Sequence, residues 1–475
     1  MDPLPERETW WTRPSGGREV AVLALPLILS TASWAVMHFV DRMFLLWHHP
    51  QDTAATLSSG TLLWSIMAMP LGIASYVNTF VSQYYGAGRK SRIGLVLFQG
   101  VAFGWVTVPL FIAIAPFSAP AFRMMGHDPT MVYLEATYLK INCWGAGAAV
   151  ISAAYSSFYT GRGEMRIVMV IDIVASILDA TLNYVLIFGK FGFPEMGIAG
   201  AALSTVLAQW LKVVVYWWLL RARELRNAYG LDSGRRLDRE LLWRLLRFGG
   251  PNGLQMQLEG LAFTVFVIYI ARLGTVATAA TTLALSINIV AFVPMIGIGV
   301  AVSTLLGQHL GADNPRLAAR AVWSGLWIAL SYNLVFAGLY LFLPHSFLLM
   351  HEAGMNPAEF AEIRSLTIIL LRFVAAYCLF DAVQLTFSSA IKGAGDTRYV
   401  LLATLVTSTL AIAMTQWGVS RGRGLMWCWT VLMLWVIALA FAYTGRFVQG
   451  RWKKMRVIEA ESEPISEPEA EVCRV

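Results

Sequence analysis

Twelve apolar stretches, each long enough to cross a lipid bilayer, set the limits on what this chain can fold into. A helix rises 1.5 Å per residue, so about 20 consecutive apolar residues span the hydrocarbon core. Such stretches run near 21–46, 56–82, 94–116, 134–158, 168–189 and 196–219. After a polar interval at 220–248 they resume near 250–272, 279–306, 319–343, 366–391, 399–418 and 425–445. The pattern predicts an all-α integral membrane protein of twelve transmembrane helices, six in each half.

Composition agrees: 57% of the 475 residues are hydrophobic and 14% charged, more apolar surface than a soluble domain of this length needs. The formal charge of +7 would suggest nucleic acid if the basic residues shared one face of a soluble fold, but they fall in loops. The first twenty residues are polar, with Arg7, Arg13 and Arg18, and the following apolar run is too long for a cleavable signal peptide, so it reads as a retained first span. Placing the amino terminus in the cytoplasm puts Arg89, Lys90, Arg92, Arg162, Arg166 and the eight arginines from Arg221 to Arg247 inside, as the positive-inside rule requires. Arg316, Arg320, Lys392, Arg398 and the cluster from Arg446 to Arg456 join them, so both termini are expected in the cytoplasm of a cell (inner) membrane protein.

The expected organisation is a cytoplasmic segment at 1–20, an N-lobe at 21–219, a cytoplasmic linker at 220–248, a C-lobe at 249–445 and a disordered cytoplasmic tail at 446–475, basic and then acidic. From Glu459 onward the tail is rich in Glu, Ser and Pro, too poor in apolar residues to offset ordering entropy, which predicts disorder. Cys143, Cys378, Cys428 and Cys473 stand singly, without a CxxC pair or metal-ligand spacing, and are assigned no chemistry.

An internal repeat links the halves. Pro26 pairs with Pro251, Gly72 with Gly297, Gln83 with Gln308 and Gly86-Ala87 with Gly311-Ala312, all 225 positions apart (251 minus 26, 308 minus 83). Further on, Gly161 to Arg166 pairs with Gly393 to Arg398 at an offset of 232 (393 minus 161). Because six spans is an even number, both copies enter the membrane from the same side, and the predicted symmetry axis runs along the membrane normal. Two such lobes enclose a central cavity.

A carboxylate at mid-membrane costs roughly 2.5–3.5 kcal/mol on insertion scales, so each one demands a reason. Glu259, with Gln255 one turn earlier, lies about 13 Å from the inner end of span seven, and Asp381, with Tyr377 at i−4, about 15 Å from the inner end of span ten. At matching depth, the two acids are expected to hold a cation, Na⁺ among them, or to keep a proton. Asp179 and Asn183 lie one turn apart in span five, and Asp41 lies in the outer half of span one, where pairing with Arg42 in solvent is the competing account. Asp172 is expected at the interface, and Lys212 and Arg372 either snorkel or pair with an acid. Aromatic residues and abundant Met suit a cavity for flat or cationic molecules, although most of them must face lipid or core.

From about residue 20 to 445 the chain resembles the multidrug and toxic compound extrusion (MATE) family, nearest its NorM-type bacterial branch. The resemblance is carried by Pro26 with Val40-Asp41, Ser82-Gln83-Tyr84-Tyr85-Gly86-Ala87, Asn183 with Pro194 to Ala202, Gly307-Gln308 with Gly311-Ala312, Asp381, and Lys392 to Thr397. It implies that Glu259, Tyr377 and Asp381 bind Na⁺, that Asp41, Asp179, Asn183 and Thr205 form a proton-linked or substrate-linked cluster, and that Pro26 marks a helix bend. Arg42, where the family usually has a small polar residue, and Asp179, where many relatives have Asn, depart from the pattern.

These readings predict a secondary antiporter, not an enzyme, that exports small organic cations in exchange for Na⁺ or H⁺ by alternating access. It is expected to need no cofactor beyond its coupling ion, to contact membrane lipid and no nucleic acid, and to be a monomer. A lipid-linked precursor flippase would favour a basic cavity. Gly393-Ala394-Gly395-Asp396 fits the GxGD pattern of intramembrane aspartyl proteases, but Asp396 lies in a short loop with no facing acid expected, and His351-Glu352 lacks the second His of a metalloprotease motif. A passive channel would need a filter-like loop, which the sequence lacks.

Overall fold

A computed structural model describes residues 9–348 and 357–459. Among the described residues there are twelve long helices and no strands. The first six are α1 (Gly17–His48), α2 (Pro50–Gly86), α3 (Ser91–Ile114), α4 (Pro129–Arg162), α5 (Met165–Ile187) and α6 (Ile198–Leu219). The second six are α7 (Arg239–Ala271), α8 (Thr275–Gly311), α9 (Pro315–Phe342), α10 (Pro357–Ala394), α11 (Thr397–Ser420) and α12 (Leu425–Val448). Each expected span falls on one of them. Ten are long and apolar enough to cross a membrane, and α4 and α5 pack among these. Helices suit this setting because each satisfies its own backbone hydrogen bonds away from water.

Helices α1–α6 form one lobe and α7–α12 the other. The N-lobe core gathers Phe80, Val96, Ile151, Phe158 and Tyr216, while the C-lobe has one cluster around Leu305, Val322 and Phe387 and another around Ile287, Leu371 and Trp429. The lobes meet where α1 packs on α8 and α2 on α7. Their first turns are exchanged: Val20 and Ala24 of α1 belong to the C-lobe core, and Leu241 and Leu245 of α7 to the N-lobe core.

The repeat seen in sequence appears here as reciprocal contacts. The Gln83 amide donates to the Gly393 carbonyl at 3.0 Å, and Gln308, its repeat partner, donates to the Gly161 carbonyl at 2.9 Å. A Cβ on Gly86 would stand 1.8 Å from the Gln308 carbonyl oxygen, and one on Gly311 would stand 2.1 Å from that of Gln83. Only a bare Cα permits this approach at either place. All hydrogen bonds between the lobes, among the described residues, lie at or inside the level of Asn252, whose amide donates to the Gly72 carbonyl at 2.7 Å. The bundle is therefore closed at the end where Ser15 and the segment after α12 lie.

Two expectations about the non-membrane segments are corrected. The 220–248 stretch is more than a polar linker: it holds a short helix, Arg223–Tyr229, and the start of α7. Tyr229 lies 4.5 Å over the guanidinium of Arg162, which is buried and also stacks on Phe158 at 4.0 Å, and the Arg236 carbonyl accepts from Gln99 at 2.8 Å. Aromatic faces and Glu164, at 2.7 Å, compensate the desolvated charge.

The tail expected to be disordered from 446 is, as far as Glu459, packed against the protein. Trp452 stacks on Phe447 at 4.8 Å, and Val457 is fully buried in the N-lobe core. Residues 460–475, and with them most of the predicted disorder and Cys473, lie outside the described residues, as do 1–8 and His351-Glu352. At the other chain end Ser15 crosses to the C-lobe, its hydroxyl 2.7 Å from His309 Nε2 and its carbonyl accepting from Ser324 at 2.9 Å. Each terminal segment thus clasps the lobe to which it does not belong.

Candidate coupling sites in the two lobes

In the N-lobe, α1, α5 and α6 bring Asp41, Asp179, Asn183 and Ser204 together. The spacing of Asp179 and Asn183 puts both on one face of α5, turned inward and fully buried. The Asn183 amide donates to Asp41 Oδ1 and, at 3.0 Å, to Asp179 Oδ2, while its carbonyl accepts the Ser204 hydroxyl at 2.6 Å. Every polar atom of Asn183 is aimed at this cluster. Asp179 Oδ1 is sealed from solvent and has no hydrogen-bond partner. Thr205 lies one residue beyond Ser204, its hydroxyl donating to the Ala201 carbonyl at 3.1 Å.

Asp41 is therefore not the solvated partner of Arg42. It is 8% exposed and faces Asp179, with His38 Nδ1 3.8 Å away. Sequence reasoning passed over His38 and Ser204, although His38 precedes Asp41 by one helical turn. It also passed over Glu135, six residues into α4, which is 1% exposed and is held by the Ser58 hydroxyl and by His127 Nδ1 at 2.8 Å.

One to two turns toward the closed end, a cavity of about 180 Å³ opens between α1, α5 and α6, lined by Ser30, Trp34, Met37, Ser176 and Gln209. Asp172 and Lys212 line it as well. Asp172 accepts from the Ser30 hydroxyl and pairs with Lys212 Nζ at 3.4 Å, so its carboxylate is held at the wall of this cavity. Of the two cations expected to snorkel or pair, Lys212 pairs and Arg372 is exposed.

In the C-lobe, Glu259 stands on α7, and Tyr377 and Asp381 lie one turn apart on α10. The Tyr377 hydroxyl accepts from Asn288 of α8 at 3.2 Å. Glu259 Oε1 is shielded from solvent and lacks a hydrogen-bond partner. One residue here escaped the sequence reading: Lys392, counted as a cytoplasmic charge, reaches up from the last turn of α10 to place Nζ 3.3 Å from Gln255 Oε1.

Pro26 sits on the buried face of α1, and the helix continues through it. Asp396 of the GxGD stretch is held by Arg446 at 2.7 Å, a helix-end ion pair. Cys143, Cys378 and Cys428 are buried free thiols.

Two six-helix lobes jointly closed at one end, with carboxylates buried inside the N-lobe and partly buried ones on the inner helices of the C-lobe, define a polytopic membrane transporter. The MatE family profile matches residues 26–185 and 251–417, one stretch in each lobe, and the chain belongs to that family. It is 30% identical over 398 residues to a probable multidrug resistance protein NorM of Xanthomonas campestris, covering 80% of this chain and 82% of that protein. It is 28% identical over 390 residues to the multidrug resistance protein PmpM of Pseudomonas aeruginosa, covering 82% and 80% of the two chains. Its fold superposes on a crystal structure of MATE in complex with MaL6 with a TM-score of 0.84 at 19% identity, covering 92% of this chain and 97% of that one. On the eukaryotic MATE transporter AtDTX14 the TM-score is 0.80 at 18% identity, covering 92% and 96%.

Proposed function

We propose that this protein exports small organic cations from the cytoplasm in exchange for Na⁺ or H⁺, by alternating access of the two lobes. The observation that carries the reading is the pair Asp41 and Asp179, bridged by the single Asn183 amide inside the membrane. Two carboxylates in one desolvated site cannot both stay charged cheaply, so the pair takes a proton or a cation, and a second cation competes for the same charge. Glu259 with Asp381 repeats the logic in the C-lobe. The closed end, where α1 begins and α12 ends, faces the cytoplasm by the positive-inside reading, so this conformation is the outward-facing one. Ion entry from outside then releases substrate and permits return.

The acidic character of both clusters favours cationic substrates. Lys212 and Lys392, basic groups that reach the interior, are engaged by Asp172 and by Gln255, which disfavours recognition of a lipid pyrophosphate. One charge crossing 100 mV supplies about 2.3 kcal/mol and each pH unit about 1.4 kcal/mol, enough together for a hundredfold gradient. The test is ethidium transport in proteoliposomes under separately imposed Na⁺ and H⁺ gradients, comparing wild type with Asp41→Asn, Glu259→Gln and Asp381→Asn. Movement driven by neither gradient, with the protein folded, would sink the proposal.

A further inference from the structure

The chain after α12 passes from one lobe to the other within a single peptide unit. Trp452 is buried in the C-lobe core against Phe447, and its indole N–H donates to the Phe447 carbonyl at 2.8 Å. Arg456 pairs with Asp313, between α8 and α9 of the same lobe, at 2.9 Å. The next residue, Val457, is on the other side. It is fully buried in the N-lobe core, its N–H donates to Gln83 Oε1 at 2.8 Å, and its carbonyl accepts from Arg244 at 2.9 Å. Arg244 stands in the first turns of α7, the part of that helix that packs in the N-lobe core. Ile458 joins the same core. Glu459 accepts the Tyr84 hydroxyl at 2.6 Å between the Arg92 and Arg244 guanidinium groups, and its carbonyl accepts from Arg89 at 3.0 Å.

This strap has almost no slack. Between the short 3-10 turn Arg451–Lys454 and Val457 only Met455 and Arg456 remain, and Met455 is already extended. An extended residue covers at most about 3.6 Å, so these two have little length to give. A Cβ on Gly395, just past α10, would stand 2.9 Å from Val457 Cγ1, so the strap runs in the seam between that turn and the N-lobe. The lobes cannot part at this end while both holds last. The C-lobe hold is continuous with α12, so the hold that must let go is the one made by residues 457–459.

We propose that residues 457–459 are a detachable latch: they fasten the closed end in the conformation seen here, and the closed end opens only when they leave the N-lobe. Their chemistry suits release. The apolar hold is one valine and one isoleucine, a modest buried area. The charged hold lies at a wet rim, where the side chains of Arg92 and Glu459 are 47% and 30% exposed, so water can replace either partner. The latch rests on the alternating-access reading for the existence of that opening step and names the segment that gates it.

Spin labels at the exposed positions Lys90→Cys and Arg398→Cys, one on each lobe at the closed end, read the distance distribution in nanodiscs; Cys473→Ser removes a competing thiol, and Cys143, Cys378 and Cys428 are buried. Val457→Asp should lower the ratio of closed to open molecules at least about tenfold, the factor that burying one valine side chain commands. Val457→Ala, a milder change at the same site, should lower it about threefold or more. An unchanged distribution in Val457→Ala overturns the latch, whether or not the Asp variant folds. The converse test fixes the strap in place: Arg89→Cys and Glu459→Cys, joined by a short cleavable bifunctional thiol reagent, should stop gradient-driven ethidium movement in proteoliposomes, and cleavage should restore it. Transport at the unlinked rate with the link intact overturns the latch while antiport stands. If neither gradient moves dye in wild type while the Val457 variants still open the closed end, the antiport reading falls and the latch stands.

Discussion

Gln83 joins three segments with one side chain: its Oε1 accepts the backbone N–H of Val457 at 2.8 Å while its Nε2 donates to Gly393. A residue of the second helix thus fastens the end of the tenth and the segment after the twelfth. Buried polar groups that lose such partners pay about 1–3 kcal/mol each. Gln83→Ala should therefore open the closed end more than Gln308→Ala, which frees the Gly161 carbonyl. Thiol labelling of Asn78→Cys, now 8% exposed at this level, reports it as a faster rate.

The two reciprocal glycines make a sharper prediction. Gly86→Ala or Gly311→Ala drives a methyl into a backbone carbonyl on the opposite helix, which no side-chain adjustment relieves. Each should shift the protein away from this closed conformation, again read by spin-label distances across the lobes. Gly88→Ala, with open space around it but φ of +73°, should cost only about 1 kcal/mol of backbone strain and leave the closure intact.

Glu459 gives the clasp a pH dependence. Partial desolvation opposes its charge, but the Tyr84 hydroxyl at 2.6 Å, a backbone hydrogen bond and the Arg92 and Arg244 guanidinium groups outweigh it and hold the carboxyl below its ordinary value. A depressed carboxylate adds stability that is present above its unfolded pKa, about 4.3, and is lost as pH falls through the lower folded value. Thermal unfolding in nanodiscs should show that loss below about pH 4. Glu459→Gln should remove that share of it while leaving the protein folded at pH 7.

Within the N-lobe cluster the order of damage is fixed by what each substitution leaves behind. Asn183→Ala abandons two facing carboxylates and the Ser204 hydroxyl, and should destabilise by about 3 kcal/mol or more. Asp41→Asn and Asp179→Asn each relieve the charge conflict and should melt at or above wild type while losing gradient-driven dye transport. A melting temperature lowered as far by Asp41→Asn as by Asn183→Ala would mean that the carboxylates are structural.

Read in order, the chain already shows the number of long helices, the two-lobe repeat and the acids that fall within spans, because hydropathy and residue offset are properties of the chain itself. Even the pairs Gln83 with Gln308 and Gly86 with Gly311 stood out, each now seen in equivalent contacts. Which groups meet is a matter of tertiary packing. Asp41 and Asp179 are 138 residues apart (179 minus 41), and nothing in their spacing shows that α1 and α5 press them onto one amide rather than leaving Asp41 to Arg42. Lys392 read as a loop charge because the positive-inside rule counts residues, whereas its stem reaches to Gln255 on α7. Residues 446–459 read as tail because their few apolar side chains, among them Trp452, Val457 and Ile458, cannot make a core alone. They are ordered because the lobes supply the core, an energy that resides in the packed partners and not in the segment itself.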